Sequence, residues 1–477
     1  MQFTNSGQLG KLFEQQAFAR WQIASTSANE RISKLKKFRK ALVERKEEFY
    51  QAVWTDFRKS KFEAWATEIF PAIEEFDYSI ENLKNWMKER AGESVYFLPT
   101  TCSYTKFEPK GQVLIMAPWN YPLLLCISPM ISAIAAGNAV IAKPSHKTPR
   151  VSSFIASLVE SVFDRSEVAV IEGDGATVGE ELLKLPFDHV FFTGSPKVGA
   201  HVGEMSQKVH AGLTLELGGK SPVIVLDDVD IKDAAAKITW GKFLNAGQTC
   251  IAPDYVLCPK AVVEPLVKEI IKNIQAMYGK TEDDRRNSYN LPRIIDAKTA
   301  KRLQDSIFDA VEKGAAIAIG GKNDIADRYV SPTVLKDVTD QMDIMQSEIF
   351  GPILPIVTCE NLNQAIKIVQ SRPKPLALYI FGKKQKAIKE IIARTTAGST
   401  CINNTIIQIE NLSMPFGGVG NSGIGNYHGF YGFKTFSHER NIMEQHSFNA
   451  VKYFYPPYGV SKIQDFIKAV LSFIKKM

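Results

Sequence analysis

Residues 111–144 read GQVLIMAPWNYPLLLCISPMISAIAAGNAVIAKP. Two short apolar runs, GQVLIMAP and NAVIAKP, bracket a stretch of helical length. The apolar segment from Leu123 to Ala142 approaches the length of a membrane span, but Pro129, Gly137 and Asn138 interrupt it. A buried helix, a turn and a buried strand account for it better. A helical segment from about Thr148, the run VAVIEG, a short helix and the run HVFFTG continue the alternation. Short apolar runs without a polar face, separated by helices, are strands covered on both sides, as in a parallel sheet wound with helices. This is an architecture of the nucleotide-binding type.

The same grammar restarts near Gly218, with PVIVLDD, a helix through Trp240, YVLCPK, a helix through Met277, AAIAIGG and LALYIFG. Two α/β domains joined near residues 216–220 are the simplest account, and no internal repeat of 20 to 50 residues is visible. Upstream, Glu14 to about Arg90 carries Lys, Glu, Ala and Phe at helical spacing and predicts long amphipathic helices. Residues 94–109, SVYFLPTTCSYTKFEP, predict a hairpin standing off the body, the kind of arm that serves assembly. The tail SKIQDFIKAVLSFIKKM (461–477) sets Ile463, Phe466, Ile467, Val470, Leu471 and Ile474 at helical spacing with lysines opposite. It is too short and too charged to span a bilayer, so it docks on the protein or lies on a membrane surface.

Composition narrows the function classes. A 477-residue chain, 45% hydrophobic and 23% charged, fills two or three domains. Its 58 basic and 51 acidic side chains are interspersed, so the net +7 argues against a nucleic-acid partner. Six cysteines without CxxC or metal-type spacing indicate free thiols in a reducing compartment, and seven histidines without HExxH make a built-in metal site unexpected. MQFTNSGQLG lacks a secretory pattern, which leads to an expected cytoplasmic location.

Several positions carry candidate chemistry. After HVFFTG, the run Gly194-Ser195-Pro196-Lys197-Val198-Gly199 opens a helix, with Ser195 suited to cap it and Pro196 to its first position. The N-terminus of that helix is either an ordinary turn or a pyrophosphate cradle; GxxxxG matches neither GxGxxG nor a Walker loop. Lys143 follows the strand NAVIA and is either a surface lysine or a second ligand contact at a strand end. In NAGQTC, Cys250 follows a glycine-containing turn; a small core thiol is the alternative to a nucleophile. Glu216 lies in the apolar strand of LELGGKSP, where a carboxylate needs either an ion-pair partner or a task. Asn120, between Pro118 and Pro122, is a fixed amide donor or a cap.

Taken in order, APWNYP, IAKPS, FFTGSPKVG, LELGGKSP, GQTCIAPDYVLC, EIFGPILP and MPFGGVGNSGIGNYHG resemble the aldehyde dehydrogenase superfamily over nearly the whole chain. DYVLC and GNSGIGNYHGFYGFKTFSH are most similar to the branch holding the dimeric class 3 and fatty aldehyde dehydrogenases. The resemblance implies an α/β fold with a Rossmann-like cofactor domain (1–92 and 110–216), an α/β catalytic domain (217–415), a small β oligomerisation arm (93–109 and 416–455) and a C-terminal amphipathic helix (456–477). It implies NAD as cofactor, a homodimer, and oxidation of medium or long aliphatic or aromatic aldehydes to acids. Cys250 would attack the aldehyde carbon, Asn120 and the Cys250 N–H would hold the oxyanion, and Glu216 would activate water against the thioester. Trp119, Lys143, His146, Gly194, Ser195, Gly199, Glu348 and Phe350 would line the cofactor. In that role Glu348 meets the nicotinamide ribose and Phe350 packs beside the ring.

One position departs from the family pattern. Many members carry KPSE, whose Glu meets the adenine ribose; here the run is Lys143-Pro-Ser-His146. Losing that carboxylate removes repulsion toward a 2′-phosphate, so NADP is expected to be accepted along with NAD. Two other readings are an acylating dehydrogenase, which would leave Glu216 idle, and a structural protein on the same scaffold, which would leave Cys250, Glu216, Asn120 and Glu348 idle. The fatty branch includes membrane-anchored enzymes, which keeps peripheral membrane contact through the tail open.

Overall fold

The computed structural model describes residues 6–95, 98, 100–446, 449–458 and 462–474. The start of the N-terminal segment, part of the turn expected near Pro99, and both ends of the 461–477 tail lie outside them.

Helices Ser6–Ala24, Ala28–Glu44, Lys46–Phe57 and Phe70–Trp86 form the N-terminal region as the helical spacing predicts. Ser27 starts the second with a reciprocal capping box to Glu30. The chain then enters a small sheet through β1 (Arg90–Ala91) and β2 (Thr101–Pro109), followed by β3 (Gln112–Met116), β4 (Ala139–Lys143), β5 (Val168–Val170), β6 (His189–Gly194) and β7 (Gly212–Leu217). Neighbours in the order β7-β6-β3-β4-β5 run parallel. The expected two-face burial is explicit in β3. Val113 and Ile115 belong to one core, Leu114 and Met116 to the core on the opposite face.

The Leu124–Ala136 helix linking β3 to β4 is buried at every residue, which explains why it mimics a membrane segment. It stops at Gly137, φ 89°, where the Arg31 guanidinium donates to the carbonyls of Ala136 (2.7 Å) and Ala135 (3.1 Å). A Cβ on Gly137 would sit 2.4 Å from that guanidinium. Among the described residues no helix is long and apolar enough to cross a membrane.

The second sheet contains β8 (Pro222–Val225), β9 (Tyr255–Pro259) and β10 (Ala316–Ile319). After the small pair β11 (Asn323–Asp324) and β12 (Tyr329–Val330), it adds β13 (Thr333–Lys336), β14 (Ile353–Cys359), β15 (Ala377–Phe381) and β16 (Ser399–Ile402). Its order is β10-β13-β14-β9-β8-β15-β16, parallel except for β10. In both sheets the first strand in the chain, β3 or β8, is interior and the later strands leave on either side. The carboxyl ends of β3 and β6 therefore flank a topological switch point, where open α/β sheets bind ligands.

The chain returns to the first sheet through β17 (Gly423–Ile424), antiparallel to β7 with Gly423 opposite Glu216. The last strand is β18 (Ser437–Gln445). The projecting arm differs from a simple 94–109 hairpin. β2 meets β1 at two positions and β18 at nine, because two residues cannot satisfy the ladder of a nine-residue strand.

Candidate active site

Cys250 is delivered by an unusual turn. After the Ile231–Phe243 helix, Asn245 (φ 53°), Ala246 (φ 53°) and Gly247 (φ 74°) all adopt left-handed backbone. For a residue with a side chain this costs ~1–2 kcal/mol. Gly247 admits no alternative, since a Cβ there would lie 2.3 Å from the Gly351 carbonyl oxygen. The turn is fixed by buried hydrogen bonds. Asn245 Nδ2 donates to the carbonyls of Asn120 (2.9 Å) and Gln248 (3.1 Å), and the Asn245 N–H donates to Glu63 Oε1 (2.7 Å). Gln248 Nε2 donates to the Asn245 (3.0 Å) and Arg293 (3.1 Å) carbonyls, while its Oε1 accepts from the Ile295 N–H (3.0 Å). Thr249 Oγ1 meets the Tyr121 hydroxyl at 2.5 Å.

Cys250 and Glu216 line one chamber of about 570 Å³, walled mainly by apolar and aromatic side chains such as Leu124, Leu125, Trp240, Ile251, Phe416 and Tyr427. Glu216 stands near the end of β7, buried, with no hydrogen-bond partner on either carboxylate oxygen among the described residues. Burial holds its carboxyl well above the ordinary range. The Cys250 thiol is pushed up to about 12, first by burial and then by the carboxylates of Glu348 and Glu216; its own N–H and that of Ile251 oppose this by favouring the anion. The resting thiol is therefore protonated, and attack on an electrophile requires a base to take that proton. Glu216, buried and without a hydrogen-bond partner among the described residues, shares the chamber.

Asn120 occupies the loop after β3 and is buried, next in the chain to the chamber-lining Tyr121. It spends one amide hydrogen on the Gln248 carbonyl (3.1 Å), leaving the second for another acceptor.

The residues expected at a cofactor cluster around the switch point. Ser195 caps the Pro196–Lys208 helix through Val198 N, with Gly194 ending β6 beside it. Gly199 packs that helix on Leu217 closely enough that a Cβ would come within 2.5 Å. Lys143 ends β4, buried, its ammonium lowered in pKa by that burial. Trp119 and Phe350 meet edge to face at 5.4 Å. Glu348 leans on the turn after β7, where a Cβ on Gly218 would lie 2.1 Å from its Oε2. Its carboxyl, taken up to about 8 by burial and by Asp254, accepts from the Gly219 N–H. A helix start open to anions, a buried ammonium and an aromatic pair between the sheets fit a dinucleotide. His146 lies exposed beyond Lys143; burial and then Lys143 lower its pKa, so it is mainly neutral at pH 7.

Sequence reasoning missed an equally dense polar layer. Lys59 and Glu68, both fully buried, pair at 2.7 Å, with Lys59 donating to the Asn120 carbonyl (3.3 Å). His428, whose ring like that of Tyr121 the sequence places near the substrate entrance, does line the chamber, and its Nδ1 meets Glu75 at 2.8 Å. Lys242 is fully buried, near Glu348 and Asp254. Asn245 and Gln248 stood inside the NAGQTC motif and could have been singled out. Lys59, Glu68 and Lys242 carry no local signal, because tertiary packing, not a motif, buries each beside its partner.

Comparison with known proteins completes the picture. The aldehyde dehydrogenase family model matches residues 13–442. The chain is 42% identical over 433 residues to the 4,4'-diaponeurosporen-aldehyde dehydrogenase of Staphylococcus aureus, covering 91% of this chain and 93% of that protein. It is 39% identical over 429 residues to the dimeric NADP-preferring aldehyde dehydrogenase of Canis lupus familiaris, covering 90% and 93%. The solved substrate-bound state of Staphylococcus aureus AldH superposes with a TM-score of 0.92 at 40% identity, covering 97% of this chain and 99% of that one. A thiol and a buried free carboxylate at one chamber, beside a dinucleotide-shaped switch point, thus sit on a chain that belongs to the aldehyde dehydrogenase family.

Proposed function

We propose that the protein oxidises apolar aldehydes to carboxylic acids with NAD or NADP, through a thioester on Cys250. The observation that carries the reading is Glu216, buried without a partner in the chamber that also holds Cys250. An unpaired buried carboxylate is costly and persists where it has work to do. Cys250 loses its proton to Glu216, directly or through water, and attacks the carbonyl carbon. The oxyanion takes hydrogen bonds from the free Asn120 amide hydrogen and the Cys250 N–H. The bound nicotinamide cofactor supplies the hydride acceptor that converts the adduct to a thioester. Glu216, having passed the thiol's proton to solvent, then takes a proton from water as the water oxygen attacks the thioester carbon and returns it to the departing thiolate, releasing the acid and restoring the thiol.

Trp119, Lys143, Gly194, Ser195, Gly199, Glu348 and Phe350 would hold the cofactor, with the pyrophosphate at the Ser195 helix start. The absence of a carboxylate at position 146 supports NADP alongside NAD, as does the name of the canine relative. The chamber's apolar wall supports medium or long aliphatic and aromatic aldehydes, a class to which the staphylococcal relative's named substrate belongs. The named dimeric state of the canine relative supports a homodimer, with the β1-β2-β18 arm (Arg90–Ala91, Thr101–Pro109 and Ser437–Gln445) as its means of assembly. A cytoplasmic location with peripheral membrane contact through the tail is part of the same reading.

NADH absorbance after mixing protein, NAD and hexanal tests the function. The expected result is coenzyme-A-independent NADH formation that Cys250→Ser abolishes. A strict need for coenzyme A would make the enzyme acylating, and silence with every aldehyde in a chain-length series would leave a structural role.

A further inference from the structure

The left-handed turn before Cys250 needs an acceptor for its first N–H. Asn245 has left the preceding helix for left-handed backbone, and its N–H is buried. The carboxylate of Glu63 meets it at 2.7 Å, from a position 182 residues earlier in the chain. Glu63 belongs to the short helix Lys61–Ala64, which Ser60 caps through the Glu63 N–H (3.3 Å). The residue is 9% exposed, and what it exposes faces the chamber. The same short stretch grips the loop on the other side of the thiol. Lys59 donates to the Asn120 carbonyl, and Glu68 Oε2 accepts from the Leu123 N–H at 2.8 Å. Residues 59–68 therefore hold both the turn that aims the thiol and the loop that carries the oxyanion donor.

We propose that Glu63 is a positioning residue for Cys250: its hydrogen bond from Asn245 holds the left-handed turn and so fixes where the thiol points in the chamber. The inference rests on Cys250 being the nucleophile. Keeping a carboxylate here is expensive, since burial pushes Glu63 up to about 7 against the help of the Lys59 ammonium. A neutral packing residue would avoid that cost but leave the Asn245 N–H orphaned in a turn already strained at two residues with side chains. Acceptor geometry, not charge, is the function. Glutamine, which keeps the acceptor oxygen and discards the charge, should therefore restore what alanine loses.

The test uses full-length Glu63→Ala, Glu63→Gln and Glu63→Asn, with folding scored by thermal melts. Two rates are read: carbamidomethylation of Cys250 by iodoacetamide, followed by peptide mass, and the NADH burst with saturating NAD and hexanal. Glu63→Ala should slow both by ~10-fold or more with KM for hexanal little changed, a loss of the size that small misplacements of a reacting group produce. Glu63→Asn, one methylene short of Asn245, should behave like alanine, and Glu63→Gln should restore most of both rates. Wild-type rates in folded Glu63→Ala overturn the proposal, and so do equal losses in the alanine and glutamine variants, which would point to charge. If the alanine variant does not fold, the glutamine and asparagine pair decides, with equal rates in the two overturning it. Alkylation needs no aldehyde turnover, so an absent burst in the wild type would fail the enzymatic reading while the alkylation arm still scores Glu63.

Discussion

Asn120 donates through Nδ2 to the carbonyl oxygen of Gln248, two residues before Cys250, at 3.1 Å. The amide expected to receive the oxyanion is thus also a brace for the loop that carries the thiol. Asn120→Ala removes both functions. It should lower kcat by ~10²- to 10³-fold, the scale seen for loss of one oxyanion donor. Steady-state turnover with hexanal, normalised to alkylatable Cys250, measures it, and a loss under about tenfold would take Asn120 out of the reaction.

Glu216→Gln should separate the two half-reactions. Water in the chamber can take the Cys250 proton in place of Glu216, so thioester formation would still give an initial, slower burst of NADH, after which turnover stalls at the thioester because an amide replaces the base. Stopped-flow absorbance reads the burst, and intact-protein mass reads the acylated chain. Linear, undiminished turnover in the variant would assign water activation to another group.

The pH dependence follows from the same residue. Burial raises the Glu216 carboxyl, so the proton-accepting form appears only as pH climbs through that raised value. Deacylation-limited kcat should therefore increase with pH, with a midpoint well above the ordinary carboxylate range, and the limb should vanish in Glu216→Gln. A midpoint near pH 4.5 in the wild type would contradict the burial argument.

In the proposed reading, cofactor choice is set near Lys143. His146 is exposed and its pKa lowered, first by burial and then by Lys143, so at pH 7 it offers little positive charge to a 2′-phosphate. Asp174, whose negative charge acts on both Lys143 and His146, works against that phosphate. Acceptance of NADP then rests on the missing carboxylate at position 146. His146→Glu should restore it and cut kcat/KM for NADP ~10-fold or more relative to NAD. In the wild type, lowering pH through the His146 pKa should protonate the ring and reduce KM for NADP alone. An NADP efficiency under about 1% of NAD in the wild type, ~3 kcal/mol, would end the idea.

What the sequence disclosed and what it withheld differ in kind. The strands of residues 111–194 were legible because a two-face-buried strand must be apolar throughout, and Val113 to Met116 divide between two cores as that pattern demands. Cys250, Glu216 and Asn120 stood out through their motifs, although residue type alone left each with an ordinary alternative. β13, β14 and β16 went unread although Pro332, Gly351-Pro352 and Gly398 stand before them, and β17 because two residues carry no period. Glu63 and the Lys59–Glu68 pair were invisible for a physical reason. Their meaning is a long-range hydrogen bond or a buried charge pair, and nothing local distinguishes them from a solvated helix start.

The C-terminal helix, Lys462–Ile474, presents its apolar side to solvent: Phe466 is 68% exposed, Ile463 49% and Val470 37%. Docking on the body of the same chain would cover these side chains and does not. Burying such a side chain is worth ~1.5–3 kcal/mol, so three of them on a helix with basic residues form a surface able to enter a headgroup layer. Full-length protein should co-sediment with anionic vesicles, and the interaction should weaken with salt because lysines contribute to it. A chain ending at Tyr458 should stay in the supernatant with hexanal oxidation unchanged. Equal partitioning of the two chains would exclude membrane contact through this helix and turn attention to a second copy of the chain as the surface that covers it.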